Sequence, residues 1–271
     1  MTALLLCGAA LAGPWVKAPG SWYAKAAYGQ FRSDAYVDGD GELIEGAAYV
    51  GQSVVLYGEA GLGAGFQAVA SVPWQLASQT DDSERSYHRA GVGDMELGVG
   101  RGLLDAAPLS LHVLAKLPGY GDGRLAPLGS EASRFPALGD GQLDLVGEIA
   151  IGGGGTIADG PGWWGELALA YVHRTPWTLS PSVELAGDFG DGVDYGAKAG
   201  LLPGFGWATL GVSGRHAFVD DGITKAWHQA DASVAVDVAE GLAAEVSGSW
   251  IYAARAAARG GGAFVGLSHR R

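Results

Sequence analysis

Twelve segments of this chain alternate apolar and polar side chains with period two, and no helical stretch of convincing length lies between them. Successive side chains of a β-strand point to opposite faces, so each segment reads as a strand with one greasy and one polar side. The segments cover about 21–33, 47–59, 64–74, 90–103, 108–118, 140–152, 163–174, 191–202, 205–217, 227–239, 242–255 and 260–269. Most are near ten residues or slightly longer, the length a tilted strand needs to cross a bilayer. The hairpin from Gly91 to Pro118 shows the pattern well. Met95, Leu97 and Val99 oppose Asp94, Glu96, Gly98 and Gly100; Leu109, Leu111, Val113, Ala115 and Leu117 oppose Ser110, His112, Leu114 and Lys116. A turn centred on Ala106 sets Glu96 against Lys116 and Val99 against Val113, a stabilising arrangement across an antiparallel pair. A soluble sandwich shows the same alternation, so one hairpin decides nothing.

The connections discriminate. Polar stretches at 34–46, 75–89, 119–139, 175–190 and 219–226 alternate with short breaks at Ala60–Gly63, Leu104–Ala107, Pro203–Gly204 and Glu240–Gly241. Only the Gly153–Gly162 connection departs from this order. Transmembrane barrels keep short turns on the periplasmic side and longer loops outside, whereas a sandwich has no reason to sort its loops by parity. An even number of strands also puts both chain ends on the short-turn side. The expected fold is all-β: a closed antiparallel up-and-down transmembrane β-barrel of about 12 strands.

Composition agrees. Of 271 residues 47 are Gly, many inside alternating runs, where they relieve crowding as strands bend around a closed wall. The net charge of -12 makes nucleic acid an improbable partner, because an acidic surface repels phosphate. The first fifteen residues, MTALLLCGAALAGPW, hold a short apolar run ending Ala10-Leu11-Ala12. This reads as a secretory signal peptide over 1–12 with cleavage after Ala12, although no Lys or Arg precedes the run. Residues 13–271 then form one barrel domain in the outer membrane of a Gram-negative bacterium. Its partners are outer-membrane lipid, the barrel-assembly machinery and a small-molecule solute. Cys7, the single cysteine, would leave with the signal peptide, so neither a disulfide nor thiol chemistry is expected.

Turning the apolar set of each strand outward defines a lipid face of Val54, Leu56, Leu97, Val113, Leu145, Ile149, Leu167, Leu169, Leu210, Val212, Val234, Val236 and Val246. The complementary, lumen-lining set is Lys25, Glu59, Asp94, Glu96, His112, Lys116, Asp144, Glu148, Glu166, Asp194, Lys198, Arg215, Asp231, Asp237 and Glu245, with Gln67, Gln142 and Gln229. A Lys or Arg on the lipid face near the midplane costs roughly 2–4 kcal/mol, so the near-absence of charge from the first set is informative. Arg101 is the exception and lies near a short turn. Acids outnumber bases in the second set, which serves either as a filling network of ion pairs or as a polar track for a solute. Aromatic residues near strand ends (Trp15, Trp22, Tyr23, Trp74, Trp163, Trp164, Tyr171, Trp177, Trp207, Trp227, Trp250 and Tyr252) fit interfacial girdles.

Few residues suggest chemistry. The glycine clusters Gly152–Gly155 and Gly61–Gly65 precede no helix and read as turns, not phosphate cradles. Asp38–Glu42 and Asp220–Gly222 lack EF-hand spacing and read as solvated loops. The six histidines form no pair at metal-ligand spacing, so no metal or cofactor is expected. Ser110 with His112, and His173 near Thr175, are the nearest candidates for hydrolysis. Successive residues on one strand face more often simply share a hydrogen bond, and no enzyme activity is expected.

Three short motifs follow one another: Gly91-Val92-Gly93-Asp94-Met95-Glu96-Leu97-Gly98, Leu114-Ala115-Lys116-Leu117-Pro118-Gly119 and Ala137-Leu138-Gly139-Asp140-Gly141-Gln142-Leu143-Asp144. In this order they resemble the outer-membrane transporter family named for the meta-pathway of phenol degradation, which is related to the long-chain fatty-acid transporters. The resemblance covers about 90 to 145 by motif and the remainder by strand pattern. Tyr120 stands after Pro118-Gly119 without the Thr usual before that Gly, and the chain closes on His269-Arg270-Arg271 where such barrels end on an aromatic residue. The resemblance implies a passive channel or transporter for small, rather apolar molecules. The alternatives are a non-conducting barrel with a structural, adhesive or sensing role in its loops, and thirdly a barrel hydrolase.

Overall fold

The computed structural model describes residues 13–80, 84–104, 107–119, 135–136, 138–139, 141–158, 160–178, 189–221 and 224–271. The expected signal peptide, the turn centre Ala106, the Trp177 side chain and most of the 119–139 connection lie outside the described residues. The rest is β-structure: β1 (Trp22–Val37), β2 (Leu43–Gly63), β3 (Phe66–Thr80), β4 (Ser86–Val92), β5 (Asp94–Gly102), β6 (Leu109–Pro118), β7 (Gln142–Thr156), β8 (Gly162–Thr178), β9 (Gly192–Leu202), β10 (Gly206–Ala217), β11 (Ala226–Ala239), β12 (Leu242–Arg255) and β13 (Ala257–Arg270). Each pairs antiparallel with its neighbours. β1 meets β13 from Tyr23↔Arg270 to Val37↔Ala257, and β2 meets β3, so the sheet closes on itself. Closure follows from the solvent. In hydrocarbon each unpaired backbone group costs several kcal/mol, and a ring of strands leaves no edge.

Thirteen strands make twelve wall positions, because β4 and β5 follow one path along β3. Trp74 pairs with Val92 and Ser71 with Glu96, so Val72 and Pro73 face three residues, Gly93, Asp94 and Met95. Pro73 has no N–H to give to a ladder, and a bulge is where a sheet tolerates that loss. Its carbonyl still accepts the Gly93 N–H at 2.8 Å.

The hairpin register is as the alternation predicts: Glu96 pairs with Lys116 and Val99 with Val113. All thirteen residues assigned to the lipid face are exposed on the outside of the wall. Arg101 lies near its short turn, with its guanidinium over the Phe66 ring at 5.1 Å. The tight turns hold Gly204 and Gly241 at positive φ, 94° and 70°.

Several boundaries move. β1 and β2 are joined by Asp38–Glu42 alone; β3 and β4 take most of 75–89; β13 starts at Ala257. The alternation is strong only where one face meets lipid, so strand continued into water beyond the bilayer carries no such signal. The irregular 153–162 connection shrinks to 157–161, closed by Ile157 N–H donating to the Pro161 carbonyl at 3.0 Å. The parity of long and short connections holds for most of the wall but not throughout, since Ala256 alone joins β12 to β13 on the long-loop side. The aromatic girdle needs correction. Trp74, Trp163, Tyr171, Trp250 and Tyr252 are exposed on the outside, but Trp227 is buried in an apolar cluster within the barrel. Trp15, Tyr23 and Trp164 also face inward: Trp15 packs edge-on to Trp164, and Tyr23 to Tyr57. A lumen this narrow needs large side chains to fill it.

Candidate functional site

The inner wall is built in three levels. At mid-height a row of alternating charge crosses four adjacent strands, because Glu96, Lys116, Asp144 and Arg174 are directly opposite in successive registers. Lys116 Nζ is 2.7 Å from Asp144 Oδ2 and 3.5 Å from Asp94 Oδ2. Arg174 Nε reaches the other oxygen of Asp144 at 3.4 Å and lies 4.7 Å over the Phe189 ring. Farther round, Arg215 grips Asp194 with two parallel bonds of 2.6 and 2.7 Å, the strongest geometry such a pair has. Arg174 shares the inward parity of Glu166 but is the last residue of the 163–174 segment, beside a stretch that reads as loop, and so stands outside the expected lumen set. Asp144, with a side chain 1% exposed, is the best shielded acid of the row.

Below this belt, toward the short turns, the remaining predicted residues separate. Lys25 pairs with Glu245 at 2.8 Å. Glu59 accepts the Tyr57 hydroxyl at 2.6 Å and pairs with Lys17 at 3.0 Å. His112 stands opposite Glu148, and its Nε2 is hydrogen-bonded to Ser110 Oγ at 2.8 Å. Ser110 and His112 are both fully buried, so this contact is a structural hydrogen bond and not an accessible nucleophile. His173 is on the outside, where it and Tyr171 donate to Asp191. Glu166 is opposite Lys198, and Asp231 opposite Gly211. Asp237 is a rim residue, 3.6 Å from Arg270 and open to solvent.

A second structure is absent from the strand pattern altogether. Residues 13–20, ahead of β1, run along the inside of the short-turn mouth and touch β2, β3, β5, β6, β7 and β8 in turn. Gly20 N–H donates to the Gly61 carbonyl at 3.2 Å. Lys17 N–H donates to the fully buried Gln67 Oε1 at 3.0 Å. Val16 lies beside Gly102, and Pro14 and Trp15 occupy the space a side chain on Gly152 would need. The Gly13 carbonyl accepts from Ser110 at 3.5 Å. No periodicity marks this segment; Trp15 and Lys17 are its only large or charged side chains.

Toward the long loops the lumen turns apolar. Phe31, Tyr49, Ala77, Leu138, Trp227, Ile251 and Ala258 form one buried cluster. Leu138 belongs to the 119–139 connection, so its described end enters the barrel. Phe135 of the same stretch packs edge-on to Tyr87 at 5.3 Å beneath Arg89. The two acidic loop motifs behave as turn caps. Asp38 Oδ1 accepts the N–H groups of Asp40 and Glu42 at 3.0 and 2.8 Å, and Asp221 accepts that of Thr224 at 2.6 Å. Among the described residues no three His, Cys, Asp or Glu side chains converge as a metal site would require.

No family model matches this chain, and no curated protein sequence does. Solved structures do match. An outer-membrane channel from Pseudomonas putida F1 superposes with a TM-score of 0.66 at 13% identity, over 94% of this chain and 97% of that one. The translocator domain of the autotransporter NalP from Neisseria meningitidis gives 0.48 at 12% identity over 94% and 90%. The Pseudomonas putida toluene transporter TodX gives 0.41 at 8% over 94% and 90%. The last two scores are too low to support an argument. The first shows the fold, that of a bacterial outer-membrane channel. With its lipid-facing exterior, this chain is an integral β-barrel of a bacterial outer membrane.

Proposed function

We propose that the barrel is a passive channel for small, rather apolar molecules, of the kind the meta-pathway resemblance implies. The observation that carries this reading is the division of the lumen: an apolar cluster toward the long loops above a belt of charge. An apolar solute leaving water gains from the cluster, since burial is worth about 25 cal/mol per Å² of apolar surface. The belt then returns it to an aqueous path. The similarly folded Pseudomonas putida protein is itself a channel, which is consistent with this use of the fold. Acids exceed bases along the inner wall, so ions that leak through should be mainly cations. Planar-bilayer recording tests both points: discrete openings with cation selectivity, and block by a small aromatic solute, are expected. No openings and no solute flux into vesicles would remove the reading.

A second reading is favoured by a specific feature. His112, Gln67, Asp144 and Glu148 are almost completely buried, and residues 13–20 line the mouth. A lumen packed in this way suits a non-conducting barrel whose role lies in its loops, and the same recordings separate the two.

A further inference from the structure

Arg32 and Arg259 stand exposed on the outside of the wall in the long-loop half, and neither side chain makes an ion pair, a hydrogen bond or a ring contact among the described residues. The other described bases of that half are engaged. Arg215 holds Asp194, Arg174 holds Asp144, and Arg255 on β12 pairs with Asp220 at 2.8 Å and donates to the Val219 carbonyl at 3.3 Å. Arg32 is opposite Gly261 and Arg259 opposite Ala35, so the two stems leave neighbouring strands on a diagonal, within reach of each other for side chains this long. Ser33 Oγ donates to the Arg259 carbonyl at 2.7 Å and fixes the backbone between them. Asp34, at the irregularity in β1, and Glu45, opposite Ala35, share this stretch of ladder, yet neither closes on an arginine. Trp250 sets the level. It is opposite Gly261, and a side-chain carbon placed there would be 2.7 Å from the indole, so the ring covers bare backbone next to Arg32. Outward tryptophans mark the headgroup level of a membrane. Deeper on the same face Gln30 is opposite Gln52, and Tyr28 lies between Val54 and Val265. Into the membrane, the face therefore runs from guanidinium, through indole and amide, to hydrocarbon.

We propose that this face of β12, β13 and β1 docks one molecule of lipid A, the phosphorylated diglucosamine lipid of the outer leaflet. One phosphate is clasped between Arg32 and Arg259, the sugar lies against Trp250 and Gln30, and acyl chains run along Tyr28, Val265 and Val246. The order of groups on the wall is the order of groups in the lipid: phosphate, then amide-linked sugar, then hydrocarbon. Long loops face the cell exterior, which puts this end of the barrel in the outer leaflet. Charge complementarity selects the occupant. The chain carries a net charge of -12, yet here two cations are left uncommitted on its lipid-facing side. The planar fork of Arg matches phosphate oxygens two at a time, and that pairing is stronger than a neutral hydrogen bond. A second copy of this chain meeting the face about a two-fold axis would set the same two cations against themselves. The inference rests on the barrel and its orientation, and is independent of transport.

Native mass spectrometry of the detergent-solubilised barrel, titrated with purified lipid A, tests it. The wild type should take up one molecule ahead of all others. Arg32→Gln and Arg259→Gln should each weaken that step about tenfold, the loss expected for one charge-assisted contact. Lipid A stripped of its phosphates should bind the wild type no better than intact lipid A binds the variants. Arg101→Gln, at the short-turn end of the lipid face, should bind as the wild type does. Should one of the two glutamine variants lose the heat-modifiable mobility of a folded barrel, the other decides the matter. Equal binding by the wild type and the variant that folds would overturn the proposal. So would equal binding of phosphate-free lipid A, the mark of annular contact only. Occupation of the same site by phosphatidylglycerol at equal concentration would overturn the choice of lipid A as its occupant.

Discussion

Replacing Lys116 with Met removes a cation from between three acids while keeping most of its volume. Lys116 is 2.7 Å from Asp144, 3.5 Å from Asp94 and opposite Glu96. Asp144 retains Arg174 at 3.4 Å, but Asp94 and Glu96 lose their nearest base. At an effective dielectric of 20, charges 4 Å apart interact by about 4 kcal/mol. Breaking a buried pair by deleting one member typically costs about 3–5 kcal/mol, since the survivor stays desolvated. The Lys116 and Asp94 side chains keep 12% and 15% of their exposure, so lumen water relieves part of this. We expect a loss at the lower end, about 3 kcal/mol, or roughly a hundredfold in the folding equilibrium. Urea unfolding in lipid vesicles, followed by tryptophan fluorescence and gel mobility, measures it. Asp144→Asn alone and combined with Lys116→Met completes a cycle in which the double variant should lose clearly less than the sum. A Lys116→Met loss under about 1 kcal/mol with additive effects would refute the view that the row is a mutually supporting network.

Leu167→Arg puts a charge on the lipid face and should cost about 2–4 kcal/mol in the same assay, whereas Lys198→Met, opposite Glu166 on the inner face, should cost far less; equal losses would contradict the assignment of faces. Gly61→Ala should loosen residues 13–20, because a methyl there overlaps the Ala18 carbonyl; limited proteolysis from the N-terminus should then accelerate with the barrel still resistant. At the outer rim, burial pushes the Asp191 carboxyl up, but hydrogen bonds from Tyr171, the Arg174 N–H and His173 outweigh it and hold the group below the usual Asp range. A depressed acid stabilises above its unfolded pKa of about 3.9 and loses that contribution as pH falls through the folded value. Asp191→Asn should therefore lower thermal stability at pH 7 and leave it unchanged near pH 2; a difference that persists in acid would sink this account.

The alternation of the sequence determined the wall. It set the faces of Leu97 and Val113, the register of Glu96 against Lys116 and the even strand count, because lipid on one side and water on the other permit only one assignment at each position. It lost the strand where that contrast stops, as at Gln75–Arg89, and it could not foresee that Pro73 would split one strand around Gly93. The interior was decided by tertiary structure. Whether Glu59 meets Lys17, Asp144 meets Arg174, or Leu138 enters the apolar cluster depends on closing the sheet, which brings residues distant in the chain across a narrow lumen. Residues 13–20 and 135–139 carry no period, and only the cavity left by the closed wall gives them a place.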